Sequence, residues 1–201
     1  MSVRIYVEGG FENSTKTNCR RAFRRLFEKL VLDQPITVIA SGDRLKAFRD
    51  FCSALRQHRD DLVILLVDAE GEVKSKSWQH LSTREGDGWT RPLEAAANQA
   101  HLMVQVMEAW FLADHTILID YYGQGFLHNS LPGQRNIELI AKQDVFTALK
   151  HATRHTQKGE YHKTRHGFEL LELCDPEKIR RASRHANELF EVLESKKQGN
   201  A

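Results

Sequence analysis

Acidic residues follow two of the most apolar segments of the chain. Glu8 comes directly after residues 4–7 (RIYV), and Asp68 and Glu70 come after residues 62–67 (LVILLV). If both segments are parallel strands, their carboxyl ends meet at one edge of the sheet, where ligands collect in α/β proteins. Carboxylates gathered there would raise each other's pKa unless a cation neutralised them. Such ligands suit Mg²⁺ or Mn²⁺, so we predict a catalytic metal site there, with solvated strand ends or helix caps as the alternative.

Two further glutamates are candidates for the same site. Glu12 follows shortly after Glu8, and Glu108 directly follows a predicted strand at residues 101–107. As the first residue of a helix, Glu108 could instead interact favourably with the helix dipole. The full set of predicted ligands for one or two ions is Glu8, Glu12, Asp68, Glu70 and Glu108.

Basic residues crowd a predicted helix at residues 16–32, in which Glu28 is the single acid. Cations spaced four apart line one side of this helix, opposite its apolar stripe. We expect Lys16, Arg20 and Arg24 to contact phosphate or nucleic acid, and an ordinary solvated helix face is the alternative. The basic residues of the helix are Lys16, Arg20, Arg21, Arg24, Arg25 and Lys29.

A second basic segment lies at residues 158–166 (KGEYHKTRH) and includes an aromatic residue. A lysine here could stabilise charge on a phosphoryl oxygen, and we predict Lys163 as a catalytic residue. His162 and His166 have the spacing of a helical zinc pair, but no third ligand is evident, which disfavours zinc. A zinc site and an ordinary solvated surface remain the alternatives to a phosphate contact. The predicted phosphate or nucleic-acid contacts are Lys158, His162, Lys163, Arg165 and His166.

The alternation of apolar runs and helical spacing predicts an α/β fold with a mainly parallel sheet flanked by helices. From about residue 135 onward the signals are mostly helical. We predict an α/β domain at residues 1–130 and a helical C-terminal extension at 131–201, or a single domain at 1–196 with a frayed end. The predicted strands are residues 4–7, 36–40, 62–67 and 101–107, and a helix is predicted at 108–121.

One long polar segment, residues 69–91, interrupts this alternation. Loops of such length inside compact domains tend to be functional, so we predict a mobile flap that covers the carboxylates. Trp78 and Trp89 lie in this segment and could stack on bases, whereas Trp110 lies in an apolar helix and is expected in the core.

Length and composition limit the class of protein. The chain has 201 residues, of which 41% are hydrophobic, and a formal net charge of +2. These values are typical of a globular rather than a disordered protein. Its longest apolar run is too short to span a bilayer, no signal peptide is indicated, and its few dispersed cysteines fit a reducing compartment. We therefore expect a cytoplasmic protein with no membrane partner.

Several motifs resemble those of Toprim domains. Residues 7–12 (VEGGFE) are similar to the Toprim signature V-E-G-x-x-E/D, and residues 67–70 (VDAE) to its D-x-D motif. Residues 107–114 (MEAWFLAD) resemble an E-x-W-x-x-A-D segment of an uncharacterised bacterial Toprim-like family. Members of that family are often encoded beside ABC-type or AAA-type ATPases.

The resemblance implies a Toprim-like, Rossmann-like sheet and Mg²⁺- or Mn²⁺-dependent phosphodiester chemistry on DNA or RNA, as in nucleases of the overcoming-lysogenisation-defect type. It implies that Glu8 is the acid/base or metal-linked glutamate, that Asp68 and Glu70 are metal ligands, and that Glu12 supports a second ion. Glu70 departs from the D-x-D pattern, and its longer side chain changes the spacing available to two ions. The resemblance further implies an anti-phage defence nuclease controlled by an ABC-type or AAA-type ATPase partner.

Two other functions stay open. Residues 10–17 (GFENSTKT) match a P-loop except that Thr15 replaces the second glycine. That glycine lets the backbone wrap the phosphates, so a nucleotide triphosphatase is disfavoured. The remaining alternative is a non-catalytic subunit that keeps the fold and regulates a partner ATPase.

Overall fold

The computed structural model describes residues 2–10, 12–133 and 135–195. Its four strands pair only in parallel, in the order β2-β1-β3-β4. The predicted α/β fold, a parallel sheet flanked by helices, is therefore confirmed. The strands are β1 (Val3–Val7), β2 (Ile36–Ala40), β3 (Leu62–Asp68) and β4 (Ala100–Met103).

Parallel strands need crossover connections, and helices α1 (Asn13–Phe27) and α2 (Arg44–Gln57) supply the first two. α1 covers one face of the sheet, where its Phe23 shares a hydrophobic core with Ile5. α2 covers the other face, where Phe51 belongs to a second core. Successive strand residues point to opposite faces, so a sheet covered on both sides needs apolar residues at nearly every strand position. The helix predicted at 16–32 begins and ends earlier than expected.

The polar segment at residues 69–91 packs on the α2 face, so the prediction of a mobile flap is wrong. It contains helix α3 (Ser77–Thr83), whose Leu81 is fully buried. Trp89 is also buried and stacks on Phe48, with ring centroids 4.4 Å apart. The Trp78 indole donates a hydrogen bond to the Ala96 carbonyl at 3.2 Å. Burial of Trp89 removes it as a base-stacking surface, because its ring is already covered.

The chain around β4 differs from the predicted strand at 101–107 and helix at 108–121. The strand ends at Met103, a 3₁₀ helix occupies Met107–Ala113, and α4 occupies His115–Tyr122. Asp114 separates the two helices, since its carboxylate caps α4 by accepting from the Thr116 backbone N–H at 3.1 Å. A capping aspartate favours a new helix start over continuation of the preceding helix.

The C-terminal helices pack on the α1 face of the sheet. Trp110 is fully buried, as predicted, and its ring meets Phe23 at 6.4 Å and Phe190 at 6.1 Å. Residues from both sides of the predicted boundary near residue 130 therefore share one core, and the division into domains stays a prediction.

In the part of the chain described, no helix has the length and apolar character to cross a membrane. The end predicted to fray, 196–201, lies outside the described residues. The remaining helices are α5 (Lys142–Thr153), α6 (Lys163–Leu173), α7 (Pro176–Ala182) and α8 (Arg184–Glu194).

Candidate metal centre

Three predicted carboxylates meet at the carboxyl edge of the sheet. Oxygen atoms of Glu8, Asp68 and Glu70 all lie within 4.8 Å of one another. Glu8 directly follows β1, and Asp68 is the last residue of β3, which extends past β1 because Val7 pairs with Leu66. The parallel register thus aligns the two strand ends. Among the described residues, these three side chains form the group that could hold a metal ion.

Glu8 is oriented by two donors. Its Oε1 accepts from the Asp68 backbone N–H at 3.0 Å, and its Oε2 accepts from the Arg44 guanidinium at 3.3 Å. Burial and the charge of Asp68 raise the pKa of Glu8 to about 7, although Arg44 opposes the shift. Near neutral pH this carboxyl group is therefore divided between its acid and carboxylate forms.

Asp68 is the most deeply placed of the three, with 3% of its surface exposed. Its Oδ1 accepts from the Met107 backbone N–H at 2.8 Å. Burial, and after it the charges of Glu108 and Glu70, raise the pKa of Asp68, while Lys163 opposes the rise. A buried carboxylate held by a single backbone donor keeps acceptor capacity for a cation.

Glu70 adopts a left-handed backbone conformation, with φ of 66°. Non-glycine residues rarely occupy this region and do so at a cost of roughly 1–3 kcal/mol, often at functional sites. Its N–H donates to the Gln105 carbonyl at 2.8 Å, which holds the strained turn in place. Its carboxylate forms an ion pair with Lys142, the first residue of α5.

Glu108 is fully buried beside this group, although it does not belong to the cluster of three. Its Oε1 accepts from the Tyr161 hydroxyl at 3.2 Å. Its Oε2 has no hydrogen-bond partner among the described residues. Glu12 lies elsewhere: it is exposed and forms the N-cap of α1. The structure therefore places Glu108 close to the centre and Glu12 outside it.

Lys163 links the carboxylates. Its Nζ lies 3.7 Å from Asp68 Oδ2 and 3.6 Å from Glu108 Oε1, while its side chain remains 55% exposed. Burial lowers its pKa, but the attraction of Asp68 and Glu108 outweighs burial, so the pKa of Lys163 is raised and the group stays an ammonium. The predicted catalytic lysine thus lies at the acidic cluster with an accessible charge.

Sequence reasoning missed the most firmly held cation of the site, Arg44. Two of its guanidinium nitrogens donate to the Asp87 carboxylate at 2.8 and 2.7 Å, and a third donates to the Asp68 carbonyl at 2.5 Å. The side chain of Asp87 is 1% exposed. Neither residue belongs to a local motif. The available signal was the position of Arg44 just after β2, at the same sheet edge as Glu8.

The other predicted clamp residues are only partly gathered at the site. Lys158 lies over the Tyr121 ring at 4.4 Å, and Arg165 is exposed. His166 is 2% exposed and its Nδ1 accepts from the His162 backbone N–H at 3.1 Å. His166 is therefore a core residue rather than part of a phosphate clamp. A zinc pair with His162 gains no support, because neither histidine belongs to a group of candidate metal ligands among the described residues.

The predicted phosphate contacts on α1 are spread along its surface. Lys16 is half-buried, Arg20 is exposed, and Arg24 forms an ion pair with Glu28 at 3.3 Å. The P-loop alternative is not supported by the turn that precedes them. Thr15 exchanges hydrogen bonds with the backbone of Glu12, at 3.1 and 2.9 Å, and so caps a helix instead of opening a phosphate-binding loop.

The acidic cluster fits a hard divalent cation. Its three ligand atoms are carboxylate oxygens, the donors that Mg²⁺ and Mn²⁺ prefer. They come from two aligned strand ends and one strained turn, so the fold itself brings them together. The structure thus supports a site at which a divalent ion could bind.

The comparisons with known proteins identify a family. A family model described as a domain of unknown function (DUF4276) matches residues 7–194. This span includes the three carboxylates and both lysines that contact them. No curated protein and no solved structure matches the chain.

Proposed function

We propose that this chain, which belongs to the domain-of-unknown-function family DUF4276, is a divalent-metal-dependent phosphodiesterase that acts on nucleic acid. The observation that carries the proposal is the convergence of Glu8, Asp68 and Glu70 within 4.8 Å, with the accessible ammonium of Lys163 beside them. Carboxylates that could hold an ion next to an accessible cation are suited to phosphoryl transfer. The Toprim resemblance of residues 7–12 and 67–70 favours the same chemistry.

The residues divide the work by how firmly they are held. Mg²⁺ or Mn²⁺ bound to Glu8, Asp68 and Glu70 would supply Lewis-acid activation of the phosphodiester or of water. Arg44, anchored by Asp87, orients Glu8 and is too enclosed to turn toward a substrate. Lys163 is the contrary case, because its long ion pairs and exposure let it stabilise negative charge on a phosphoryl oxygen.

A non-catalytic subunit is the competing function, and one observation favours it. Three cations, Arg44, Lys142 and Lys163, already form ion pairs with the three carboxylates of the cluster and with Glu108. The centre could therefore be an ion-pair network that needs no metal. The resemblance suggests an ABC-type or AAA-type ATPase as the partner that such a subunit regulates. For the enzyme, we propose the same partner as the control on an otherwise hazardous nuclease.

Metal binding is the first test. Calorimetry with Mn²⁺ should show binding to the wild type, and no binding to Asp68→Asn, which keeps the shape of the side chain but removes its charge. Asp50→Asn is the matched control, because Asp50 forms a surface pair with Lys46 at 2.7 Å on α2. Equal Mn²⁺ binding by all three proteins would contradict the metal centre and favour the ion-pair network.

Cleavage is the second test. Single- and double-stranded DNA and RNA should be cut with Mg²⁺ or Mn²⁺ present and left intact with EDTA. Lys163→Gln should keep Mn²⁺ binding but lose about a hundredfold in rate, as when one charge-stabilising donor is removed. Lys150→Gln, which changes an exposed lysine 3.8 Å from Glu160, should match the wild type. If no substrate is cut, even with the ATPase partner added, the enzyme proposal fails.

The ATPase partner requires its own experiment. Residues 69–91 pack on the α2 face and do not serve as a cover that the ATPase would control. The C-terminal helical part could supply the surface on which the ATPase docks. Deleting the residues after 135 would not test this, because it would also remove Lys142 and Lys163 from the metal centre. Co-purification of the intact chain with an ATPase encoded beside it is the appropriate measurement, and a fully active chain that retains no ATPase would contradict the proposed control.

A further inference from the structure

A groove lined by arginines runs beside the edge strand of the sheet. It has a volume of about 480 Å³. Because β2 ends the strand order, its outer edge has no strand partner among the described residues. One wall is helical and the other is strand, formed respectively by Thr17, Arg20, Arg21 and Arg24, and by Ile36, Thr37 and Val38.

The helical wall carries a net positive charge, although Arg21 forms an ion pair with Glu172 at 2.6 Å and Arg24 with Glu28. Helix α1 has basic residues at five positions and no acid between Asn13 and Phe27. Arg20 donates to the Thr17 hydroxyl at 3.1 Å and forms no ion pair with a described carboxylate. Glu28 is shared by Arg24 and Arg25, at 3.3 and 3.5 Å. Since the whole chain has a net charge of only +2, this helix is strongly basic relative to the rest of the molecule.

The basic stripe leads toward the metal centre. Lys16 lies one turn before Arg20. The Lys16 Nζ lies beside Gly42, 3.9 Å from the position that a Cβ on Gly42 would occupy. The Gly42 carbonyl accepts from the N–H of Gly9 at 2.7 Å, directly beside Glu8. Lys16, Arg20 and Arg24 are spaced at i, i+4 and i+8, so they share one side of α1. A polyanion on this stripe would therefore end at the carboxylates.

We infer that this groove binds the sugar–phosphate backbone of one nucleic-acid strand and leads that strand to the metal centre. The inference rests on the proposed function and identifies the path of its substrate. From Thr17 to Arg24 the helix rises by about 10 Å, and Arg20 and Arg24 lie about 6 Å apart along its axis, so each can contact a separate phosphate. Among the described residues no aromatic side chain lines the groove, so the contact is with the backbone and is independent of base sequence.

The salt dependence of binding tests the helical wall. Fluorescence anisotropy with a labelled single-stranded oligonucleotide, in EDTA so that no metal bridges it to the carboxylates, is the measurement. For R20Q/R24Q the slope of log K against log salt should become shallower by about 1.4, two phosphate contacts at about 0.7 each. The charge-matched control is R49Q/R56Q, which removes two exposed arginines from α2 on the opposite face of the sheet. Equal changes in both double variants would overturn the inference.

The strand wall supplies an independent test. Thr37 is exposed on β2, so its substitution should leave the fold intact. Thr37→Glu should weaken oligonucleotide binding about fivefold at low salt, the effect of one repulsive charge contact in water. Thr37→Gln, with the same shape and no charge, should bind as the wild type does. If Glu and Gln behave alike, the strand does not lie in this groove.

Failure of this inference and failure of the proposed function give different results. R20Q/R24Q should still bind Mn²⁺ in calorimetry, whereas Asp68→Asn should lose Mn²⁺ but keep oligonucleotide binding in EDTA. Normal Mn²⁺ binding and cleavage in R20Q/R24Q, with an unchanged salt slope, overturns the groove alone. A groove that binds an acidic peptide but no oligonucleotide also overturns it, and would instead indicate a protein strand added to β2.

Discussion

The pH dependence of metal binding follows from the burial of Glu8. In the metal-free protein, burial and the neighbouring Asp68 hold the pKa of Glu8 at about 7, well above its ordinary value of 4.5. A divalent cation binds the carboxylate and not the acid, so it must displace this proton. Affinity is therefore fully present above the pKa of Glu8 and is lost as the pH falls through it.

The ionised fraction of Glu8 sets the size of this pH effect. With a pKa of about 7, the ionised fraction of Glu8 rises from about one tenth at pH 6 to about nine tenths at pH 8, so the apparent Mn²⁺ affinity should rise about tenfold. The raised pKa of Asp68 adds to the loss at the acid end. A solvated carboxylate would be ionised at both pH values and would leave the affinity unchanged.

Calorimetry with Mn²⁺ at both pH values, in two buffers with different ionisation enthalpies, measures affinity and proton release together. Near neutral pH the wild type should release about half a proton from Glu8 on binding. Glu8→Gln should bind more weakly, and the part of the pH dependence due to Glu8 should disappear. A flat affinity between about pH 6 and 8, with no proton release, would refute the reasoning that burial controls this ligand.

Three further predictions concern the neighbours of Glu8. Asp68→Asn should raise the free energy of unfolding in EDTA by about 2 kcal/mol at pH 8 and by less at pH 5. The pKa of Asp68 is raised in the folded protein, so its ionised form destabilises the fold at pH values above that pKa. A variant less stable than the wild type at pH 8 would contradict this. Lys142→Met should strengthen Mn²⁺ binding about threefold in calorimetry, because the ammonium no longer competes for Glu70; weaker binding would mean that Lys142 orients Glu70 for the ion. Asp87→Asn should lower the free energy of unfolding in urea by roughly 3 kcal/mol, because Arg44 loses its enclosed partner; an unchanged midpoint would contradict that role.

The sheet and the meeting of its acidic ends were predictable because they depend on local patterns. Residues 62–67 form an apolar run, as expected of a strand covered on both faces, and β3 occupies Leu62–Asp68. Parallel pairing then requires that Glu8 and Asp68 share one edge. Glu70 also belongs to the cluster, but it reaches it through a left-handed turn after β3 and not as a continuation of the strand.

The packed segment at 69–91 shows where polarity misleads. Its composition suggested a flap, yet Leu81 and Trp89 are enough to attach it to the sheet, because two large apolar side chains bury substantial area. Asp87 then becomes enclosed and anchors Arg44. A polar average over a window hides a few such residues.

Sequence alone determined the fold class and the convergence of the three carboxylates, because strand periodicity and residue order specify which ends of a parallel sheet coincide. Lys163 was a candidate because it lies in the basic segment at 158–166. Only the tertiary structure decided which cations face the carboxylates. Arg44, Lys142 and Lys163 reach the site from the first residues of three different helices, α2, α5 and α6. It also removed His166 from the surface and placed Glu12 at a helix cap. Such contacts depend on how helices pack across the sheet, and packing is set by side chains from the whole chain rather than by any local pattern.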